Sequence, residues 1–175
     1  MEKGYSATSM RSIAQEVGLL PSSLYSHITS KEEILFDICF NYADVFLKAL
    51  DTILAESKKS SEALQEILMH HIEVTLEDPA SVCVFNDDWR HLSEPGLSEF
   101  VKLRRSYEVK LLDIIDSGVS KGEFKNLDSK NIHFAFLALL RGIHLWIHPN
   151  KVIDRKKFAQ DMKKIFFKGI LKIKK

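Results

Sequence analysis

Apolar residues recur every three or four positions along most of the chain, which is the spacing of amphipathic helices. Two short helices are predicted at 10–17 and from Pro21 to about residue 28, and Gly18 ends the first of them. A capping box at 30–33 opens a long helix that is expected to end near Lys58. Ser9 is the expected N-cap of the first helix.

The remaining chain continues the helical spacing. Pro79 and Pro149 mark two of the breaks, and no segment alternates apolar and polar residues long enough to form a strand. The pattern predicts an all-α fold with five further helices, at about 61–77, 79–92, 98–117, 129–147 and 154–172.

Composition narrows the class of protein. The 175 residues are 45% hydrophobic and carry a formal net charge of +1, which excludes a histone-like basic protein and an acidic disordered chain. Two cysteines, Cys39 and Cys83, are too few for a disulfide framework and favour a reducing cytoplasm. The polar start and the absence of a long apolar run predict no signal peptide and no membrane partner.

Charge is unevenly distributed along the chain. Residues 1–50 have a net charge of −2, residues 51–150 have −5, and residues 151–175 have +8. The basic tail has two interpretations. Its lysines can contact nucleic acid or an anionic ligand, or they can cover the solvent side of an amphipathic last helix.

The segment 9–28 has the order helix, glycine turn, helix that defines a helix-turn-helix. Leu24 and Ile28 are expected to pack onto an apolar stripe formed by Ile13, Ala14 and Val17. The side chains left facing outward are small and polar, as entry into a DNA major groove requires, and they are Ser22, Ser23, Ser26 and His27. Tyr25 and Lys31 can contact phosphates. The alternative is an ordinary corner between two helices.

The same segment resembles the DNA-binding signature of the TetR family of bacterial repressors. The resemblance rests on GYSATSMRSIA at 4–14, the Val-Gly pair at 17–18, SLYSHI at 23–28 and SKEEIL at 30–35. It implies a DNA-binding domain at 1–36 followed by a helical effector-binding and dimerisation domain at 37–175. The residues that it places at DNA are Thr8, Ser9, Met10, Arg11, Pro21, Ser22, Ser23, Tyr25, Ser26, His27 and Lys31.

The sequence differs from the family pattern at two places in the DNA-binding domain. Family members have a further helix before the Gly-Tyr pair, so we expect residues before Met1 in the native protein. Leu19 and Leu20 stand where the family often has a small or polar cap, so the start of the second helix depends on Pro21.

The larger domain resembles a TetR branch that senses acyl-coenzyme A. The similar segments are SKGEF at 120–124, WIHPN at 146–150 and FFKGIL at 166–171. Aromatic and arginine side chains among these helices suit an apolar ligand with an anionic group. The predicted ligand residues are Phe85, Trp89, Arg90, Phe100, Arg104, Arg105, Tyr107, Phe134, Phe136, Arg141 and Trp146. The alternative is that the aromatic residues only fill a core.

The helix at 129–147 is apolar nearly all round, so it must be covered on two sides. Pairing of this helix and the helix at 154–172 with their symmetry mates would form a two-fold, four-helix interface. A homodimer is therefore predicted, and a single packed monomer core is the alternative.

Histidine and cysteine residues are the candidates for a catalytic or metal site. His144 and His148 lie one helical turn apart, but no third ligand follows in a fixed motif. His70 and His71 are adjacent and expected to point apart, and Cys39 lies on an apolar face. No catalytic residue, metal site or cofactor is predicted, and the chain is not expected to be an enzyme.

The predicted function is a ligand-responsive repressor that leaves a pseudo-palindromic operator when an apolar effector, possibly an acyl-coenzyme A, binds. One alternative is a small helical ligand carrier or enzyme without DNA binding. Another is a DNA-binding regulator with no small-molecule input.

Overall fold

A computed structural model describes residues 4–56, 59–147 and 153–171, and the all-α prediction is confirmed for these residues. Two short 3-10 turns, at Trp89–His91 and Ile143–Trp146, interrupt the α-helices. The α-helices are α1 (Gly4–Ala7), α2 (Met10–Glu16), α3 (Pro21–Tyr25), α4 (Lys31–Glu56), α5 (Ser60–Glu77), α6 (Pro79–Asp87), α7 (Gly96–Ser120), α8 (Ser129–Gly142) and α9 (Arg155–Ile170).

Capping residues explain where the first helices begin. The amide of Ser12 donates to Oγ of Ser9 over 3.1 Å, which confirms Ser9 as the N-cap of α2. At the start of α4, the amide of Glu33 donates to Oγ of Ser30 as predicted. The carboxylate of Glu33 accepts from the amide and the hydroxyl of Thr29, and a hydrogen bond from the Ser30 amide also helps to lower its pKa, in agreement with the predicted capping box.

Three predicted helices end at least three residues earlier than their apolar pattern suggested. The helix predicted from Pro21 to about residue 28 ends at Tyr25. The helix predicted at 79–92 ends at Asp87, and a 3-10 turn replaces its last part. The helix predicted at 129–147 ends at Gly142 and continues as the turn Ile143–Trp146. Apolar spacing does not distinguish an α-helix from the tighter turn that often follows it. The short helix α1 was not predicted.

The core of the larger domain is built around α5. Leu64, Ile67, Leu68 and Ile72 of α5 are almost fully buried, and they pack between residues of α4, α7, α8 and α9. Burial of each such side chain stabilises the fold by about 1.5–3 kcal/mol. The charged residue Glu66 lies on the solvent side of the same helix.

A tight corner after α7 packs against the start of α5. Phe124 is buried directly against Gly118, and Gly122 adopts a positive φ of 69° in the turn between them. The carboxylate of Glu123 accepts from the amides that open α5, including that of Ser61 over 2.9 Å. This corner is the SKGEF segment, and its residues serve packing and capping.

The N-terminal helices enclose a small core of their own. Ala14 and Leu24 are buried, and Ile13 and Ile28 pack beside them, as the helix-turn-helix interpretation predicted. Met10 is buried with them, which the sequence did not predict. The prediction that Val17 joins this stripe is wrong, because α2 ends at Glu16 and Val17 is 59% exposed.

Among the described residues, no helix combines the length and the apolar character that crossing a bilayer requires.

Candidate functional site

The helix α3 presents a small polar surface. Leu24 alone of its residues turns inward, and Ser26 uses its hydroxyl to donate to the carbonyl of Ser23 over 2.7 Å. The exposed side chains on and just after this helix are Pro21, Ser22, Ser23, Tyr25, Ser26 and His27. These are the residues that the sequence placed on the recognition helix.

The segment before α2 is only partly available to DNA. Arg11 and Ser9 are exposed, and the hydroxyl of Thr8 donates to the carbonyl of Gly4 over 2.8 Å. Met10 is buried against Ala14, because it starts the apolar stripe of α2. Its side chain therefore packs in the core, so the phosphate contact that the resemblance implies at this position is left to the backbone.

Lys31 has a structural role that the sequence did not indicate. Its ammonium group donates to the carbonyls of Tyr5 and Thr8, each over 2.7 Å, and lies 4.0 Å from the centre of the Tyr5 ring. Two of its three donors are therefore used within the protein. Lys31 holds α1 against α4, which limits the part that it can take in phosphate contact.

The N-terminal helices contact the larger domain near one point. The ring of His91 stacks on Tyr5 with centroids 5.0 Å apart, and the amide of Ser93 donates to the carboxylate of Glu32 over 2.9 Å. The predicted domain boundary after residue 36 falls within α4, which runs continuously from one region into the other.

A cavity of about 50 Å³ lies between α4, α5, α6, α7 and α8. Most of its wall is apolar. Four of the predicted ligand residues line it: Phe85, Arg104, Tyr107 and Arg141. The other residues of the wall are Ala43, Phe46, Leu47, His71, Val82, Asn86, Leu103, Glu108, Leu137 and Leu140.

Arg104 brings a charge into this apolar wall. Its guanidinium carbon lies 4.9 Å from the centre of the Trp89 ring, 5.8 Å from that of Phe100 and 6.0 Å from that of Phe85. Burial, followed by the nearby charge of Arg141, lowers the pKa of Arg104 to about 10, so the group stays protonated at neutral pH. Within the described ranges, no carboxylate lies at ion-pair distance from it.

The second arginine of the cavity is paired. Arg141 forms an ion pair with Glu108, which also lines the cavity. The wall therefore carries two guanidinium groups and one carboxylate, with an excess positive charge at Arg104. An anionic group bound there would compensate this charge in a partly desolvated environment.

His71 lines the cavity although the predicted ligand residues did not include it, because His70 and His71 are adjacent and were not expected to form a site. Its Nε2 atom lies 2.8 Å from the hydroxyl oxygen of Tyr107, and its ring stacks on Phe46 with centroids 4.0 Å apart. Burial lowers the pKa of His71 to about 3, so the imidazole is neutral. Burial also raises the pKa of Tyr107. The sequence did contain a signal for this role. His71 lies one helical turn before Thr75, on the face of α5 that is buried.

The other predicted ligand residues lie elsewhere. Trp89 and Phe100 pack behind Arg104, and Arg90 stacks on Trp89 with its guanidinium carbon 4.6 Å from the ring centre. Phe136 is buried in the core against Phe166. The remaining predicted residues, Arg105, Phe134 and Trp146, are exposed.

Phe134 and Trp146 belong to an apolar surface on α8 and α9. Phe134 is 74% exposed, Trp146 is 66% exposed and Ile165 of α9 is 68% exposed. A cleft of about 430 Å³ between the two helices continues this surface along Ala138, Leu139, Gly142, Ile143, Trp146, Phe158, Asp161 and Met162. We call this region the α8–α9 surface.

Comparison with known families identifies the protein family of this chain. Residues 1–38 match the family described as bacterial regulatory proteins, tetR family, and residues 57–170 match the tetracyclin repressor-like C-terminal domain. The two matches cover most of the sequence, so the chain belongs to the TetR family. It is a transcriptional regulator with an N-terminal helix-turn-helix, as the resemblance implied.

The similarity to individual relatives extends over nearly the whole chain. The HTH-type transcriptional repressor KstR2 of Mycolicibacterium smegmatis is 26% identical over 171 residues, which are 97% of this chain and 83% of that protein. The structure of the ketosteroid transcriptional regulator KstR2 of Mycobacterium tuberculosis matches with a TM-score of 0.89 and 25% identity. That match covers 98% of this chain and 89% of the other.

A more distant structural neighbour has been solved with a coenzyme A ester and with DNA. The crystal structure of AibR in complex with isovaleryl coenzyme A and operator DNA matches with a TM-score of 0.78 over 94% of this chain and 89% of that one. At 22% identity, this likeness establishes a shared fold.

Proposed function

We propose that this chain is a homodimeric repressor that leaves its operator when a largely apolar ligand with an anionic group binds around Arg104. The main support for this proposal is the environment of Arg104. A half-buried guanidinium surrounded by Trp89, Phe85 and Phe100, with no carboxylate at ion-pair distance in the described ranges, suits an anion brought in by an apolar ligand.

The ligand class follows from the cavity wall. Apolar residues of α4, α6 and α8 suit a hydrocarbon body, and His71 and Tyr107 supply a neutral polar pair. An acyl-coenzyme A has both an apolar chain and strongly anionic groups. AibR, which has the same fold, was solved with isovaleryl coenzyme A, and KstR2 is called a ketosteroid regulator, so both names are associated with largely apolar ligands.

The size of the cavity indicates how a ligand would act. A volume of about 50 Å³ holds a few water molecules, whereas ligand pockets commonly have several hundred Å³. The described conformation is therefore too closed for an acyl chain, and a ligand must favour a more open state. Since α4 lines the cavity and also carries Lys31, opening would shift the N-terminal helices.

Dimerisation would use the α8–α9 surface. Exposed aromatic and aliphatic side chains on adjacent helices form the type of patch that two-fold interfaces bury. Two copies of α3 would then face successive major grooves of a pseudo-palindromic operator. Because α3 has no Arg, Asn or Gln, we expect modest base specificity with a large contribution from DNA shape.

The experiment starts from duplexes selected by this protein from a random library. The bound complex is titrated with acyl-coenzyme A species of increasing chain length and followed by fluorescence anisotropy. Release whose midpoint depends on chain length supports the proposal. Release that ignores chain length, or no release by any species, contradicts the effector class.

Dimerisation is tested separately by sedimentation. Phe134→Glu places a charge in the α8–α9 surface and should give monomers, whereas Val101→Glu changes an exposed apolar residue of α7 and should leave the dimer intact. A wild-type protein that sediments as a monomer at micromolar concentration would contradict the proposed assembly.

A further inference from the structure

A thiol, a carboxylate and an imidazole meet where α6 packs on the 3-10 turn that follows α8. Cys83 and Asp87 are one turn apart on α6, and His144 lies in the turn. One potential ligand atom from each residue lies within 4.8 Å of the other two. Nε2 of His144 is 3.1 Å from Oδ2 of Asp87, which is 3.6 Å from Sγ of Cys83.

These separations fit a metal ion between the three groups. Tetrahedral zinc with bonds of about 2.0–2.3 Å places neighbouring ligand atoms about 3.3–3.8 Å apart. The two separations at Asp87 lie close to that range, and the ligand atoms of Cys83 and His144 lie within 4.8 Å of each other, so rotation of Cys83 would bring the third pair closer to tetrahedral spacing. Thiolate, imidazole and carboxylate together are a ligand set for a borderline-soft divalent cation.

The surroundings of the cluster also suit an ion. Asp87 is exposed, which gives an entry path and leaves a coordination position to water, while His144 is buried and held in place. The side-chain amide of Asn86 lies 3.3 Å from Nδ1 of His144. Rotation of that amide would present its oxygen to Nδ1–H, the usual support for a histidine whose Nε2 binds metal.

We propose that Cys83, Asp87 and His144 form a binding site for a divalent cation of the zinc class. A bound ion would join α6 to the turn after α8. Because Val82, Phe85 and Asn86 of α6 line the cavity, the ion would also fix one wall of that cavity. The proposal is independent of which effector the cavity binds.

The test uses the full chain after treatment with a chelator. Cd²⁺ is added while the ultraviolet charge-transfer absorption of a cadmium–thiolate bond is recorded, and Zn²⁺ is then added as a competitor. We expect saturation at one ion per chain and displacement by Zn²⁺. Cys83→Ser should abolish the band, although the fully buried Cys39 remains in that variant.

A matched pair of variants tests the carboxylate. Asp87→Asn should weaken Cd²⁺ binding at least tenfold, whereas Asp88→Asn, which changes the neighbouring carboxylate outside the cluster, should leave binding unchanged. Zn²⁺ should raise the Tm of the wild type and not that of Cys83→Ser. Absence of a saturable band, or a band that survives in folded Cys83→Ser protein, would overturn the proposal.

Discussion

The hydroxyl oxygen of Tyr107 lies 2.8 Å from Nε2 of His71, which joins α7 to α5 inside the cavity. Because the imidazole is neutral, this contact is a hydrogen bond between two uncharged groups. Tyr107→Phe removes the hydroxyl and leaves Nε2 of His71 without this partner. We expect a loss of about 1–3 kcal/mol in the free energy of unfolding, measured in urea. The control Tyr25→Phe, on exposed α3, should change stability little, and equal effects of the two variants would contradict the prediction.

The buried imidazole of His71 also predicts a pH dependence of stability. Its pKa is about 3 in the folded chain and about 6.5 when unfolded. Below pH 6.5 the unfolded state therefore takes up a proton that the folded state does not, so stability is fully present above that pH and falls as the pH is lowered. Between pH 7 and about pH 5, His71 should cost about 2 kcal/mol.

Comparison with His71→Gln isolates this effect from other titrating groups. The variant keeps a polar side chain beside Tyr107 and removes the proton uptake. Its stability should fall less than that of the wild type over the same pH range. A parallel loss in both proteins would show that His71 does not titrate as described, and His27→Gln serves as an exposed control.

Gly118 allows the corner after α7 to close. A Cβ at this position would overlap the ring of Phe124 and lie 3.0 Å from Cβ of Ser60. Gly118→Ala should destabilise the protein by about 1–3 kcal/mol in urea unfolding. Gly169 is also helical, with open space around its Cα, so Gly169→Ala should range from no change to a gain of about 1 kcal/mol. Destabilisation by both variants alike would point to a general effect of replacing glycine.

Arg11 and Lys31 should affect DNA binding in different ways. Arg11 is exposed beside α3, so Arg11→Ala should weaken binding to all sequences and reduce the salt slope by about 0.9. Lys31→Ala removes the contacts to Tyr5 and Thr8, so it should also speed hydrogen exchange of the Thr8 amide, which donates to the Tyr5 carbonyl over 3.1 Å. Lys48→Ala, farther along α4, is the control for both measurements. Unchanged exchange in Lys31→Ala would contradict its structural role.

Much of the fold could be predicted from local patterns. The spacing of apolar residues indicated the helices, and Ser9 and Gly18 marked ends that the structure confirms, because capping is determined by neighbouring residues. Phe134 could not be oriented in this way. The helix around it is apolar on nearly every side, so the pattern does not distinguish the core face from the α8–α9 surface.

The spacing of apolar residues could not predict contacts between side chains of different helices. His71 meets Tyr107 because α5 and α7 pack side by side, and Cys83 meets His144 because the chain forms a 3-10 turn after Gly142. Neither relationship leaves a signal in residue spacing. The role of Lys31 was missed for a related reason, since its partners belong to the unpredicted helix α1.

In the proposed function, Arg104 recognises the anionic part of an effector that releases DNA. Its neighbour Arg105 is exposed on the same helix, so Arg104→Met and Arg105→Met form a matched pair with equal loss of charge. The direct measurement is the acyl-coenzyme A concentration that half-releases a selected operator from each variant, with DNA affinity measured first without ligand. We expect Arg104→Met to raise this concentration at least tenfold, corresponding to about 1.4 kcal/mol, and Arg105→Met to match the wild type. Equal midpoints for the two variants would show that Arg104 does not recognise the effector.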